Sequence, residues 1–108
     1  MGEDPFEMRF ADREGNSMTL AEWAARIQSD LTGDYRRVAQ ASIGEMLVST
    51  VWLGLDHGWG QRPLYFETMI FGGKHDGWQA RYSTRAEAEA GHAALIARLE
   101  AGLEPDEG

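Results

Sequence analysis

The sequence predicts an α+β fold: a four-stranded antiparallel sheet with two helices packed on one face. Three observations lead there. Two segments read with helical period, and each opens on a Thr-x-x-Glu capping box. Between them, residues 35–83 switch to a period of two, the spacing of strands with one face buried. That stretch is broken by turn-forming pairs and loops rich in glycine, with Pro63 among them.

Taken in order, residues 1–7 form a tail, and "FEMRFA" supplies a short strand ending in the turn-rich "DREGNS". Thr19 caps the first helix, Glu22 completes its capping box, and Met18 staples onto Trp23. Leu20, Trp23, Ala24, Ile27 and Leu31 make its buried stripe, and Gly33 its stop. "RRVAQASI" and "MLVSTVWLGL" then flank Gly44-Glu45, a glycine-first pair suited to a two-residue hairpin. That turn sets Ile43 against Met46, Ala41 against Val48, Ala39 against Thr50 and Arg37 against Trp52. "PLYFETMIFG" and "WQARYS" are the third and fourth long strands. Thr84 and Glu87 open the last helix, whose buried stripe is Ala88, His92, Leu95, Ile96, Leu99 and Leu103. Gly91 costs that helix about 1 kcal/mol against alanine, which implies close packing on the sheet. The domain therefore spans 8–103, and 104–108 is an acidic tail expected to be disordered.

Alternation sorts the central strands into two faces. Leu47, Val51, Leu53 and Leu55, with Leu64, Phe66 and Ile70, are assigned to the helix-covered core. Met46, Val48, Thr50 and Trp52, with Tyr65, Glu67, Met69 and Phe71, are left on an open face, apolar enough to mark an interface or ligand surface. There Arg37 lies over Trp52 as a cation–π pair.

The chain has 108 residues, enough for one core and too few for two. It holds no cysteine, so disulfides, thiolate metal sites and cysteine nucleophiles are excluded. Taking the five tail acids Glu3, Asp4, Glu104, Asp106 and Glu107 from the net charge of −8 leaves −3, with no lysine or arginine block. Nucleic acid is thus not an expected partner. No apolar run approaches the roughly 18 residues of a membrane span, so no membrane partner is expected either.

The residues with chemical potential fall in two echoing clusters, "DHGWG" from Asp56 and "HDGW" from His75. Each pairs a carboxylate with an imidazole, the ingredients of a general base or metal site. The loops that carry them, 56–63 and 72–77, sit at opposite ends of one strand of eight residues, roughly 26 Å long at about 3.3 Å per residue. Neither loop alone supplies the three ligands of a zinc site, and no serine elbow, phosphate loop or dinucleotide fingerprint is present. No catalytic residue, metal or cofactor is therefore assigned. In "DHGWG" the bland reading outweighs catalysis: Asp56 accepts backbone N–H groups while Gly58 and Gly60 shape the turn. His92 reads as a hydrogen-bonded core residue.

"DREGN", the "EW" helix, "DYRRVA", "VSTVWLGLDHGWG", "FETMIFGG" and "RYSTRAEAEAGH" together resemble a family of small proteins from tailed phages and prophages, notably of actinobacterial hosts. The resemblance covers roughly residues 8–100 and is strongest at Val48–His57 and Phe66–Met69. It implies a phage accessory protein in the host cytoplasm and no particular chemistry. Small phage proteins that sequester immune cyclic nucleotides offer a fold-level analogy. The leading expectation is a non-enzymatic, homo-oligomeric binding protein active in anti-defence. Trp52, Trp59 and Tyr65 would stack a nucleotide-like ligand, Asp56, His57 and Glu67 would hydrogen-bond it, and Arg37 and Arg81 would meet a phosphate. The alternatives are a module that inhibits a host protein, and a small hydrolase using Asp56 and His57.

Overall fold

The chain enters through a two-strand ribbon in the structure, a computed structural model that describes residues 8–56 and 62–106. Phe10–Ala11 (β1) pairs antiparallel with Ser17–Met18 (β2). Asp12 shapes the turn between them, its carboxylate accepting the N–H groups of Glu14 and Asn16. The second strand of this ribbon was not expected, because two residues carry no readable period.

The first helix, Leu20–Ser29 (α1), opens on the Thr19–Glu22 capping box. It ends at Ser29, before the expected stop at Gly33, because Asp30 folds back on the loop. The Asp30 carboxylate accepts the N–H groups of Tyr35 and Arg36 at 3.0 and 3.1 Å, and ion-pairs with Arg36. These hydrogen bonds, led by that from Tyr35, hold its carboxyl below the usual range. Leu31, expected in the buried stripe, is consequently 91% exposed. Trp23 and Ile27 do pack into the core, and the Trp23 indole N–H donates to the Leu53 carbonyl.

Arg37–Ile43 (β3), Met46–Trp52 (β4), Phe66–Phe71 (β5) and Gln79–Tyr82 (β6) form an antiparallel meander in chain order. The second helix, Arg85–Glu100 (α2), opens on the Thr84–Glu87 capping box and lies across the sheet. The α+β class, the four-stranded sheet and the existence of two helices are thus as the sequence predicts, but only α2 lies across that sheet, whereas α1 packs beside the β1–β2 ribbon. Gly91 lets α2 approach closely, since a Cβ there would stand 2.5 Å from the Tyr82 ring.

Register and faces depart from expectation at two points. The Gly44-Glu45 turn does set Ile43, Ala41 and Ala39 against Met46, Val48 and Thr50. Val38 then bulges, two residues of β3 oppose one of β4, and Arg37 lands beside Val51 instead of Trp52. Between β4 and β5, even residues meet even residues: Val48 with Ile70, Thr50 with Thr68, Trp52 with Phe66. All six are buried, four of them apolar, so this is the core face. The face assignment made for β4 from sequence is therefore reversed, while that for β5 stands. The cause is physical: Leu47 and Val51 alternate with Val48 and Trp52, so β4 is apolar on both sides. The long β4–β5 connection fixes no parity, and burying the largest ring decides.

The core has two apolar halves. Val48, Ile70, Leu95 and Leu99 form one. Trp52, Phe66 and Ala88 form the other, joined by Trp23, Ile27, Tyr35 and Val38. Each fully buried side chain of the size of Ile70 or Phe66 contributes on the order of 1.5–3 kcal/mol. Between the halves, Thr50 shares one hydrogen bond with Thr68 and a second, 2.8 Å long, with His92 Nδ1.

Candidate functional site

The register places three cross-strand rows on the sheet face opposite α2. Arg37, Val51, Glu67 and Arg81 make the first. Gln40, Ser49, Met69 and Gln79 make the second, and Ser42, Leu47 and Phe71 the third. Among the described residues no helix or strand lies over these rows. Polarity is graded along the strands. The charged row sits at the Trp52 end, and the Leu47–Phe71 pair sits by the β3–β4 turn with Phe71 46% exposed. Glu67 and Arg81, directly opposite on β5 and β6, form an ion pair at 3.0 Å. Arg37 ion-pairs with Asp34 and donates to Gln40. An open hollow of about 320 Å³ lies beside this row, lined by Arg36, Arg37, Gln40, Ser49 and Val51 among others.

Trp52 does not belong to this surface. It is 1% exposed, its indole N–H donates to the Ala11 carbonyl, and Tyr35 meets it edge-on at 5.0 Å. A stacking role for Trp52 is closed. In place of the expected Arg37–Trp52 cation–π pair stand two the sequence did not signal, Arg13 and Arg26 each stacked on the Tyr35 ring at 4.3 and 4.4 Å. Tyr65 precedes β5 and packs against the Trp52 half of the core, where burial raises its phenol pKa. It therefore leaves the open face as well.

Asp56 is committed to the scaffold. Its carboxylate accepts the Leu64 N–H at 2.9 Å and ion-pairs with Arg9 at 2.6 Å. Its own N–H donates to the Arg9 carbonyl. It thereby ties the strand leaving β4 to the segment entering β5 and to the start of the ribbon. His57 and Trp59 lie outside the described residues. Asp76 does the parallel job at the other end of β5, accepting the Gly72 N–H. The two aspartates of the echo both fasten backbone, at opposite ends of β5. Arg9 was not singled out from sequence, because nothing local links it to a residue 47 positions later.

The remaining imidazoles are engaged. His92, buried against the sheet, has its pKa lowered by desolvation, and its Nδ1 shares a hydrogen bond with the Thr50 hydroxyl. His75 Nε2 stands 3.1 Å from the Glu104 carboxylate, and Asp106 accepts from the Trp78 indole N–H through its carbonyl. Residues 104–106, expected to be a disordered tail, are instead fastened to the β5–β6 turn and to Arg98 of α2. Arg62 meets Glu87 with one nitrogen 2.8 Å from each carboxylate oxygen, and this holds the Glu87 carboxyl below its usual range. Among the described residues no three His, Cys, Asp or Glu side chains gather as metal ligands. No helix among them is long and apolar enough to cross a membrane.

Of the eight residues singled out from sequence, the structure thus brings Arg37, Glu67 and Arg81 into one row. It separates them from Asp56, Tyr65 and Trp52. Comparison with protein-family models, curated proteins and solved structures gives no match.

Proposed function

We propose that the protein is a non-enzymatic interaction module that docks a protein partner on the open face of its sheet. One observation carries this reading: three solvent-facing rows, charged at one end and apolar at the Leu47–Phe71 end, with no described element over them. The hollow beside its charged row is open, whereas small ligands are held in concave sites that surround most of their surface. A partner protein needs no concavity, only an acidic group toward Arg37 and an apolar one on Phe71. The nucleotide-sequestering reading keeps Arg37, Glu67 and Arg81 but loses Trp52 as a stacking surface, so a protein partner ranks first. Asp56 is held by Arg9 and Leu64, which removes the poised carboxylate that the hydrolase reading requires. In the setting implied by the phage resemblance, the partner is a host protein met in the host cytoplasm.

The test is site-specific photocrosslinking in the expressing host. A photoreactive residue at Ser49 or Phe71 should give a discrete adduct, one at Ala93 on the outer side of α2 should not, and Leu47→Asp should abolish the first. Adducts formed equally well from Ala93, or insensitive to Leu47→Asp, overturn the reading.

A further inference from the structure

We propose that β3 is an open sheet edge, which a second copy of β3 extends antiparallel into one continuous sheet shared by two chains. This concerns a different surface from the face proposed above and stands independently of it.

The sheet has two edges, β3 and β6. β6 is only four residues long, whereas β3 runs from Arg37 to Ile43. In a two-residue hairpin the residues flanking the turn form a hydrogen-bonded pair, and bonded pairs recur at every second residue. Ile43, Ala41 and Ala39 therefore direct their N–H and C=O groups inward to β4. Gln40 and Ser42 direct theirs outward, and both residues are exposed. Among the described residues no strand pairs there.

Natural edges are commonly blunted by proline, lysine, shortness or a bulge. From Ala39 to Ile43 this edge has no proline and no charge, and its single bulge, at Val38, lies beyond that stretch. Its side chains are small or neutral: Ala39 and Ala41 toward α2, Gln40 and Ser42 on the open face.

The occupant that fits is the same strand turned end for end. With Ala41 opposite the partner's Ala41, Gln40 meets the partner's Ser42, and the reverse pair repeats it. Both outward residues on each chain are then satisfied at once. The two methyl groups at the axis tolerate the roughly 4.5 Å Cα approach of a non-hydrogen-bonded pair. The Arg37 end of each strand comes beside the Gly44-Glu45 turn of the other, cation toward acid, twice by symmetry. The open faces of the two copies then run on as one surface.

The experiment combines mass with amide exchange on the full chain. Light scattering at rising concentration should approach twice the 12.0 kDa of one chain. The Gln40 and Ser42 amides should become protected in step with that mass, since among the described residues of one chain no strand pairs with them on that side. Ser42→Pro, which removes an outward N–H and leaves the β3–β4 ladder whole, should return the mass to one chain with an unchanged far-UV spectrum. Should that variant not fold, the exchange of the wild type decides alone. A single-chain mass, free exchange at Gln40 and Ser42 beside protected Ala39 and Ala41, or a dimer lost in Phe71→Asp but kept in Ser42→Pro overturns the proposal.

Discussion

The two faces of one sheet carry similar numbers of strand positions and nearly opposite chemistry. Under α2, Val48, Trp52, Phe66 and Ile70 are almost wholly out of water, and the polar groups among them, Thr50, Thr68 and His92, bond to one another. On the other side, Leu47, Val51, Met69 and Phe71 are interleaved with Arg37, Gln40, Glu67, Gln79 and Arg81. Stability is concentrated on the first face, where truncation leaves a cavity or an orphaned polar group. The second face has no described element over it and is the one proposed above for recognition.

Trp52→Ala should break the comparison most sharply. It removes the largest fully buried side chain together with its bond to Ala11 and its contact with Tyr35. A loss of about 3–5 kcal/mol in urea-induced unfolding is expected. Gly91→Ala comes next, because its methyl group would meet the Tyr82 ring at 2.5 Å. The expected loss is about 1–3 kcal/mol from overpacking, only partly offset by helix propensity.

The third prediction concerns pH. Burial lowers the His92 pKa from its ordinary 6.5, so the unfolded chain binds that proton more readily than the folded one. Stability should be full above pH 6.5 and fall as pH drops below it, through the folded-state value. Glu87 and Asp30, whose carboxyls are held low, lose their contribution only below their ordinary 4.5 and 3.8. Urea midpoints between pH 7.5 and about 5 should therefore decline in wild type and decline less in His92→Gln. An identical decline in both would remove His92 from the account.

On the open face, Phe71→Ser should change stability by about 0.5 kcal/mol or less, as surface positions do, while weakening partner capture. A large stability loss there would mean that the face is covered.

Much of the frame was legible in the sequence. Both capping boxes, the Gly44-Glu45 turn, the Gly91 contact and the core role of His92 follow from local rules that tertiary packing did not override. The faces of β4 were not legible. That strand is apolar at odd and even positions alike, so period two says that it is a strand without saying which side is inside. Arg37 was misplaced by a bulge at Val38, a residue with nothing in its type to announce one. Glu67 and Arg81 were each picked out, yet their pairing needed the β5–β6 register. Arg9 and Asp56 lie too far apart in the chain for any spacing rule to join them.

The absence of native cysteine allows the division of faces to be read directly, one residue at a time. Ser49→Cys and Thr50→Cys are neighbours on β4 that point to opposite sides of the sheet. With a thiol reagent under native conditions, Cys at 49 should react at a rate near that of an exposed thiol. Cys at 50, beneath α2, should react only as fast as the protein opens. Rapid reaction at 50 with protection at 49 would put Trp52 and Val48 on the outside, and the account of which face folds the protein and which face recognises its partner would be contradicted.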